Sequence, residues 1–115
     1  MAPRDIRDYL EDMLQYIAAA ERLIDGLTFE EFEKDEKTVL ALSRAVEIVG
    51  EAAKNVPIPV RQQYPDIAWK QLVGMRDRLA HGYFSLNLEV LWGAAQAELP
   101  LLKPTIRTML EQQDI

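Results

Sequence analysis

The sequence predicts an all-α protein: an up-and-down four-helix bundle with short extra helical turns and a kinked or broken C-terminal helix. Three observations carry that expectation. Apolar residues recur at spacings of three and four through most of the chain. No stretch alternates apolar and polar residues as a half-buried strand would. Capping residues and helix breakers fall mostly between the periodic segments.

The first segment places Ile6, Leu10, Met13, Ile17, Ala20, Ile24 and Leu27 on one seam, and Asp25-Gly26 marks its stop. Thr28 with Glu31 reads as a capping box that opens a short helical turn. The acidic stretch Glu30–Lys37 is most simply a solvated connection. A second long helix is expected from about Glu36 to Asn55, with Val39, Leu42, Val46, Val49, Ala53 and Val56 inward. Pro57 and Pro59 end it, and Pro65-Asp66 closes a short linker. Asp66 can cap a third helix through Ile67, Trp69, Leu72, Val73 and Leu79, and Gly82 can end it in a left-handed conformation. Asn87 can cap the last segment, whose seam is Leu88, Leu91, Ala95, Leu99, Leu102, Ile106 and Met109. That pattern slips just before Pro100, where a kink or break is expected.

The length of 115 residues suits a single domain over residues 1–115, large enough for a core without covalent staples. Disorder is excluded by 49% hydrophobic residues. Without cysteine there are no disulfides or thiolate metal sites, which fits a reducing compartment. No apolar run is long enough to span a bilayer and the N-terminus carries acids, so a soluble, cytoplasmic protein with no membrane association is expected. A net charge of −6 argues against broad nucleic-acid binding, which needs a basic surface, but leaves room for a small basic cleft around Arg76 and Arg78.

Candidate chemistry concentrates in Met75–Phe84, where the only histidine, His81, lies five residues after Arg76 and two before Tyr83. An imidazole with an ordinary pKa of about 6.5 exchanges protons near neutrality, and an arginine beside it suits phosphate. The same residues also describe a plain helix end, because cations favour the last turn. Five residues of ideal helix leave Arg76 and His81 roughly 140° apart, so they converge only if His81 stands where the chain turns. Asp77, four residues before His81, can reach the imidazole and fix its tautomer, and Arg78 adds charge to the same corner. Metal-free RNA cleavage needs both an acid and a base, so one histidine per chain favours an active two-fold dimer. Gly50-Glu51-Ala52-Ala53 permits close helix approach. Glu51 either extends an intrahelical ladder with Glu47 and Arg44, which the spacing favours, or reaches the third helix to orient Arg76 or Arg78.

Other arrangements lack support. There is no phosphate-binding glycine loop or dinucleotide fingerprint, and Ser43 and Ser85 have no nucleophile-elbow context. No metal site is expected, since a lone histidine with scattered carboxylates is a poor zinc ligand set.

Arg76-Asp77-x-x-x-His81-x-Tyr83 resembles the R-polar-x-x-x-H motif of HEPN domains, in the R-x-x-x-x-H-x-Y form of the HepT toxins. Arg4-Asp5, Glu47–Ala53, Asp66–Trp69, Gly74–Arg76, His81–Phe84, Leu91-Trp92 and Leu99-Pro100 also fall in HepT-like order, covering roughly residues 4–112. The resemblance implies a HEPN-like bundle and a dimeric endoribonuclease toxin that cleaves RNA with no cofactor. Arg76 and His81 would be catalytic, with Asp77, Arg78 and Glu51 in support. It further implies a partner, an MntA-like nucleotidyltransferase antitoxin that uses ATP and Mg to attach AMP to Tyr83. A competing reading makes the chain a non-catalytic helical partner or substrate-binding subunit of such a nucleotidyltransferase; a purely structural dimer is a third.

Overall fold

Helix begins wherever a short acceptor side chain precedes an apolar seam. The computed structural model describes residues 4–81 and 87–113, and among them every regular element is helical. The first helix, α1 (Ile6–Ile24), starts at a capping box that the seam alone does not reveal. Asp5 and Asp8 exchange backbone-to-carboxylate hydrogen bonds of 3.2 Å. Leu10, Met13, Ile17, Ala20 and Ile24 are its buried stripe. Gly26, at φ 79°, turns the chain out of the helix in the left-handed region, where side chains are strained.

The expected box at Thr28 and Glu31 is present and opens α2 (Phe29–Lys34). The acidic stretch is therefore more than a solvated connection. Phe29 and Phe32 lie one turn apart and share the inward face, while Glu30, Glu31 and Glu33 stay exposed. Phe32 is fully buried, its ring centroid 5.2 Å from that of Trp92, and Phe29 meets Trp92 edge-on at 6.0 Å.

The central helix is α3 (Glu36–Lys54), packed on α1 along one side and on the third long helix along the other. Asp35 caps it, accepting from the Thr38 N–H at 3.2 Å and from the Thr38 hydroxyl at 2.8 Å. Those bonds hold the Asp35 carboxyl below its ordinary pKa. At the other end, a short turn that the prolines concealed, α4 (Ile58–Arg61), returns Arg61 to the helix terminus. Its guanidinium donates to the Lys54 and Val56 carbonyls, each at 2.7 Å, where a helix leaves acceptors without partners.

The next helix, α5 (Trp69–His81), begins later than expected. Asp66 is exposed, and the Ala68 carbonyl accepts the first helical bond, from the Leu72 N–H at 3.1 Å. Burial explains the delay. Ile67 and Trp69 are both in the core, and Trp69 Nε1–H donates to the Tyr64 carbonyl at 3.0 Å, which keeps the intervening backbone irregular. Helical structure runs through His81; Gly82 lies outside the described residues.

Asn87 caps α6 (Leu88–Gly93) through the N–H groups of Glu89 and Val90, as the sequence predicts. The expected break before Pro100 takes a specific form. Ala94–Glu98 widens into a π turn, closed by the Leu99 N–H on the Ala94 carbonyl at 2.8 Å, and Pro100–Leu102 tightens into a 3₁₀ turn. Proline removes one donor and crowds the turn before it, and the wider turn relieves that crowding. The chain ends in α7 (Lys103–Gln113), which packs on α1 and is tied to it by the Lys103–Glu21 ion pair. No helix among the described residues is long and apolar enough to cross a membrane.

Candidate functional site at the crossing of α3 and α5

The site is built on a missing side chain. A Cβ on Gly50 would stand 2.5 Å from the Arg76 Cβ and 2.7 Å from the Leu72 carbonyl oxygen. Only glycine lets α3 and α5 approach this closely, and the approach brings the Arg76 side chain against α3.

Two carboxylates then hold its guanidinium. Glu51, next to Gly50 on α3, places Oε2 2.5 Å from Arg76 Nε. Asp77 accepts from Arg76 Nη1 at 2.9 Å. The Asp77 hydrogen bond, followed by the charge of Glu51, raises the Arg76 pKa above its already high ordinary value. The arginine is a permanent cation, 21% exposed, and neither contact uses Nη2.

The ladder that the spacing favours for Glu51 is therefore incomplete. Glu47 keeps its partner Arg44 at 3.3 Å, while Glu51 leaves the ladder for the neighbouring helix. The physical reason is again Gly50, which brings Arg76 closer to Glu51 than an intrahelical partner one turn away. Asp77, expected beside the imidazole, is also a partner of Arg76. Arg78 is exposed on α5. The helix reaches His81, and the chain turn that convergence with Arg76 requires falls outside the described residues. The expectations for the His81 imidazole, Tyr83 and Ser85 lie outside what the structure describes. Ser43 donates to the Val39 carbonyl, a common intrahelical bond. Among the described residues no group of three or more acidic or histidine side chains is gathered to hold a metal ion.

Arg76 and Glu51 form one end of a cleft of ≈ 450 Å³ that the motif does not announce. One wall comes from Tyr9, Asp12 and Tyr16 on α1, the other from Arg44 and Glu47 on α3. Arg4 joins it, 2.8 Å from Asp12 and with its guanidinium carbon 4.9 Å from the centre of the Tyr9 ring. The signal was present in the spacing: Tyr9, Asp12 and Tyr16 are three and four apart, as are Arg44, Glu47 and Glu51.

A profile of the family described as Ribonuclease HepT-like matches residues 13–109. The chain belongs to the HepT-like ribonuclease family. Among its relatives, a Thermococcus cleftensis protein named as a probable ribonuclease HepT is 41% identical over 100 residues, covering 87% of this chain and 91% of that one. A Caldanaerobacter subterraneus subsp. tengcongensis relative, named as an RNase candidate, is 36% identical over 107 residues, covering 93% and 96%. A Methanocaldococcus jannaschii relative named in the same way is 37% identical over 100 residues, covering 87% and 83%. No solved structure matches the chain. Within this HepT-like domain Arg76 is the residue on which Gly50, Glu51 and Asp77 converge.

Proposed function

We propose that the chain is the toxin of a two-gene toxin–antitoxin system: a metal-independent endoribonuclease, cytoplasmic and active as a homodimer. The observation that carries this reading is the fixed guanidinium of Arg76, on the same helix as His81, in a HepT-like ribonuclease domain. In the proposed reaction His81 of one protomer takes the proton of a ribose 2′-hydroxyl as its oxygen attacks the adjacent phosphorus. Arg76 offers N–H donors to the charge that grows on the phosphoryl oxygens. The bond to the 5′-oxygen breaks, and the second imidazole of the dimer protonates that oxygen. The products are a 2′,3′-cyclic phosphate and a 5′-hydroxyl.

Control would act through Tyr83. An MntA-like nucleotidyltransferase holding ATP and Mg transfers AMP to the phenol, with pyrophosphate as leaving group. The added bulk and negative charge beside the motif then repel RNA. The test is cleavage of RNA in EDTA by the purified protein and by Arg76→Ala and His81→Ala variants. Loss of about 10²-fold or more in kcat for each is expected, on the scale of removing one donor to a developing anion. Undiminished cleavage by either variant removes that residue from the mechanism.

The net charge of −6 favours a second reading, a non-catalytic subunit that docks a nucleotidyltransferase. Purified protein that leaves RNA intact, and expression without a partner that leaves growth unaffected, would select it.

A further inference from the structure

The cleft between α1 and α3 has chemistry that the motif does not use. Three arginines, Arg4, Arg44 and Arg76, face three carboxylates, Asp12, Glu47 and Glu51. Its charged side chains balance, in a chain that is strongly acidic elsewhere. That composition suits neither a simple anion nor a cation. It suits a ligand that carries phosphate together with hydroxyl and amine donors. Tyr9 and Tyr16 add two aromatic surfaces on the same face of α1, half-buried against the core and therefore rigid. The volume, ≈ 450 Å³, lies within the range of small-ligand sites, about 300–1,000 Å³.

The geometry points to a nucleotide-binding subsite in this cleft, holding the RNA residue next to the scissile phosphate at Arg76. The inference rests on the ribonuclease reading above. Arg44 and Glu51 are seven residues apart on α3, about 10 Å along the axis, so Arg44 stands beyond the position of a phosphate at Arg76. Arg44 is 68% exposed and its contact with Glu47 is a surface pair within one helix, of a kind easily exchanged for phosphate. A base would lie against a tyrosine face, which accepts any base. Asp12 and Glu47 offer acceptors to ribose hydroxyls, the groups that separate RNA from DNA.

The experiment uses full-length His81→Ala protein, disabled for cleavage, and a fluorescein-labelled single-stranded RNA oligomer read by anisotropy. Adding Arg44→Ala is expected to weaken binding severalfold and to make the log–log salt dependence shallower by about 0.7, the value for one phosphate contact on a single strand. Adding Tyr16→Leu, which keeps an apolar side chain against the core, is expected to weaken binding by about tenfold. Arg107→Ala, an equal charge change on the exposed face of α7, serves as the control. In the cleaving protein, Arg44→Ala and Tyr16→Leu should raise KM far more than they lower kcat. RNA binding unchanged by both variants overturns the subsite, whatever the cleavage result. Binding that depends on Arg44 and Tyr16 in a protein whose wild type does not cut RNA keeps the cleft as a nucleotide site but overturns its place beside a scissile phosphate, together with the nuclease reading.

Discussion

Gly50 and Arg76 are in backbone-to-side-chain contact across the α3–α5 crossing, with no room for even one methyl group between them. The Arg76 cation is thus positioned by a residue 26 positions earlier that carries no functional group. Gly50→Ala should force the helices apart, an overpacking cost of about 1–3 kcal/mol. Urea unfolding will show a lower midpoint, and RNA cleavage should fall further than the loss of folded protein explains.

Glu51 holds the arginine without touching RNA in the proposed reaction. Glu51→Gln and Glu51→Ala should both lower kcat, by about ten- to a hundredfold for the alanine, because a misplaced group loses its alignment with the reacting atoms. KM should change little, and the amide should retain more activity than the alanine. Steady-state kinetics with both variants checks this. A rise in KM at constant kcat would instead place Glu51 in substrate binding.

Phe32 gives the short helix α2 its purpose. Phe32→Ala removes a fully buried ring from contact with Trp92 and should cost about 3–5 kcal/mol, read as a large drop in the urea midpoint. Its acidic neighbour offers a contrast. Glu33→Ala, at an exposed position, should lie within about 0.5 kcal/mol of wild type.

Asp35 links the start of α3 to acidity. Its hydrogen bonds from Thr38 depress the folded pKa below the unfolded value of about 3.9. Such a group contributes stability above the unfolded pKa and loses it as pH falls through the folded pKa. Asp35→Asn should therefore narrow the stability gap to wild type progressively below about pH 4, and leave it constant from pH 5 to 7. Urea titrations at stepped pH provide the measurement.

What the sequence revealed depended on how local the cause was. The seams of α1 and α3, the Thr28–Glu31 box and the Asn87 cap each follow from residues within a few positions of one another. The start of α5 did not, because Ile67 and Trp69 answer to the core and to Tyr64 rather than to Asp66. The Arg61 bonds to the end of α3 join residues in different elements, and composition gave no sign of them. The site divides in the same way. Arg76 and His81 stand out by motif, whereas the choice of Glu51 between Arg44 and Arg76 turned on a helix crossing that intrahelical spacing cannot register. The two tyrosines were visible only as ordinary periodicity on α1, and Arg4 only as part of the family resemblance.

The π turn at Ala94–Glu98 is, in rotational terms, a phase adapter. It absorbs one residue more than an α-turn would, so Leu91 before it and Ile106 and Met109 after it all point into the same core. Removing exposed Gln96 would let the wide turn close to α-helical spacing with both flanking stripes still in register. Removing a residue from within α7 would rotate everything beyond it by about 100° and carry the remaining core positions toward solvent. Length variation in this domain is therefore tolerable at one particular turn of its last helical stretch and not at the next.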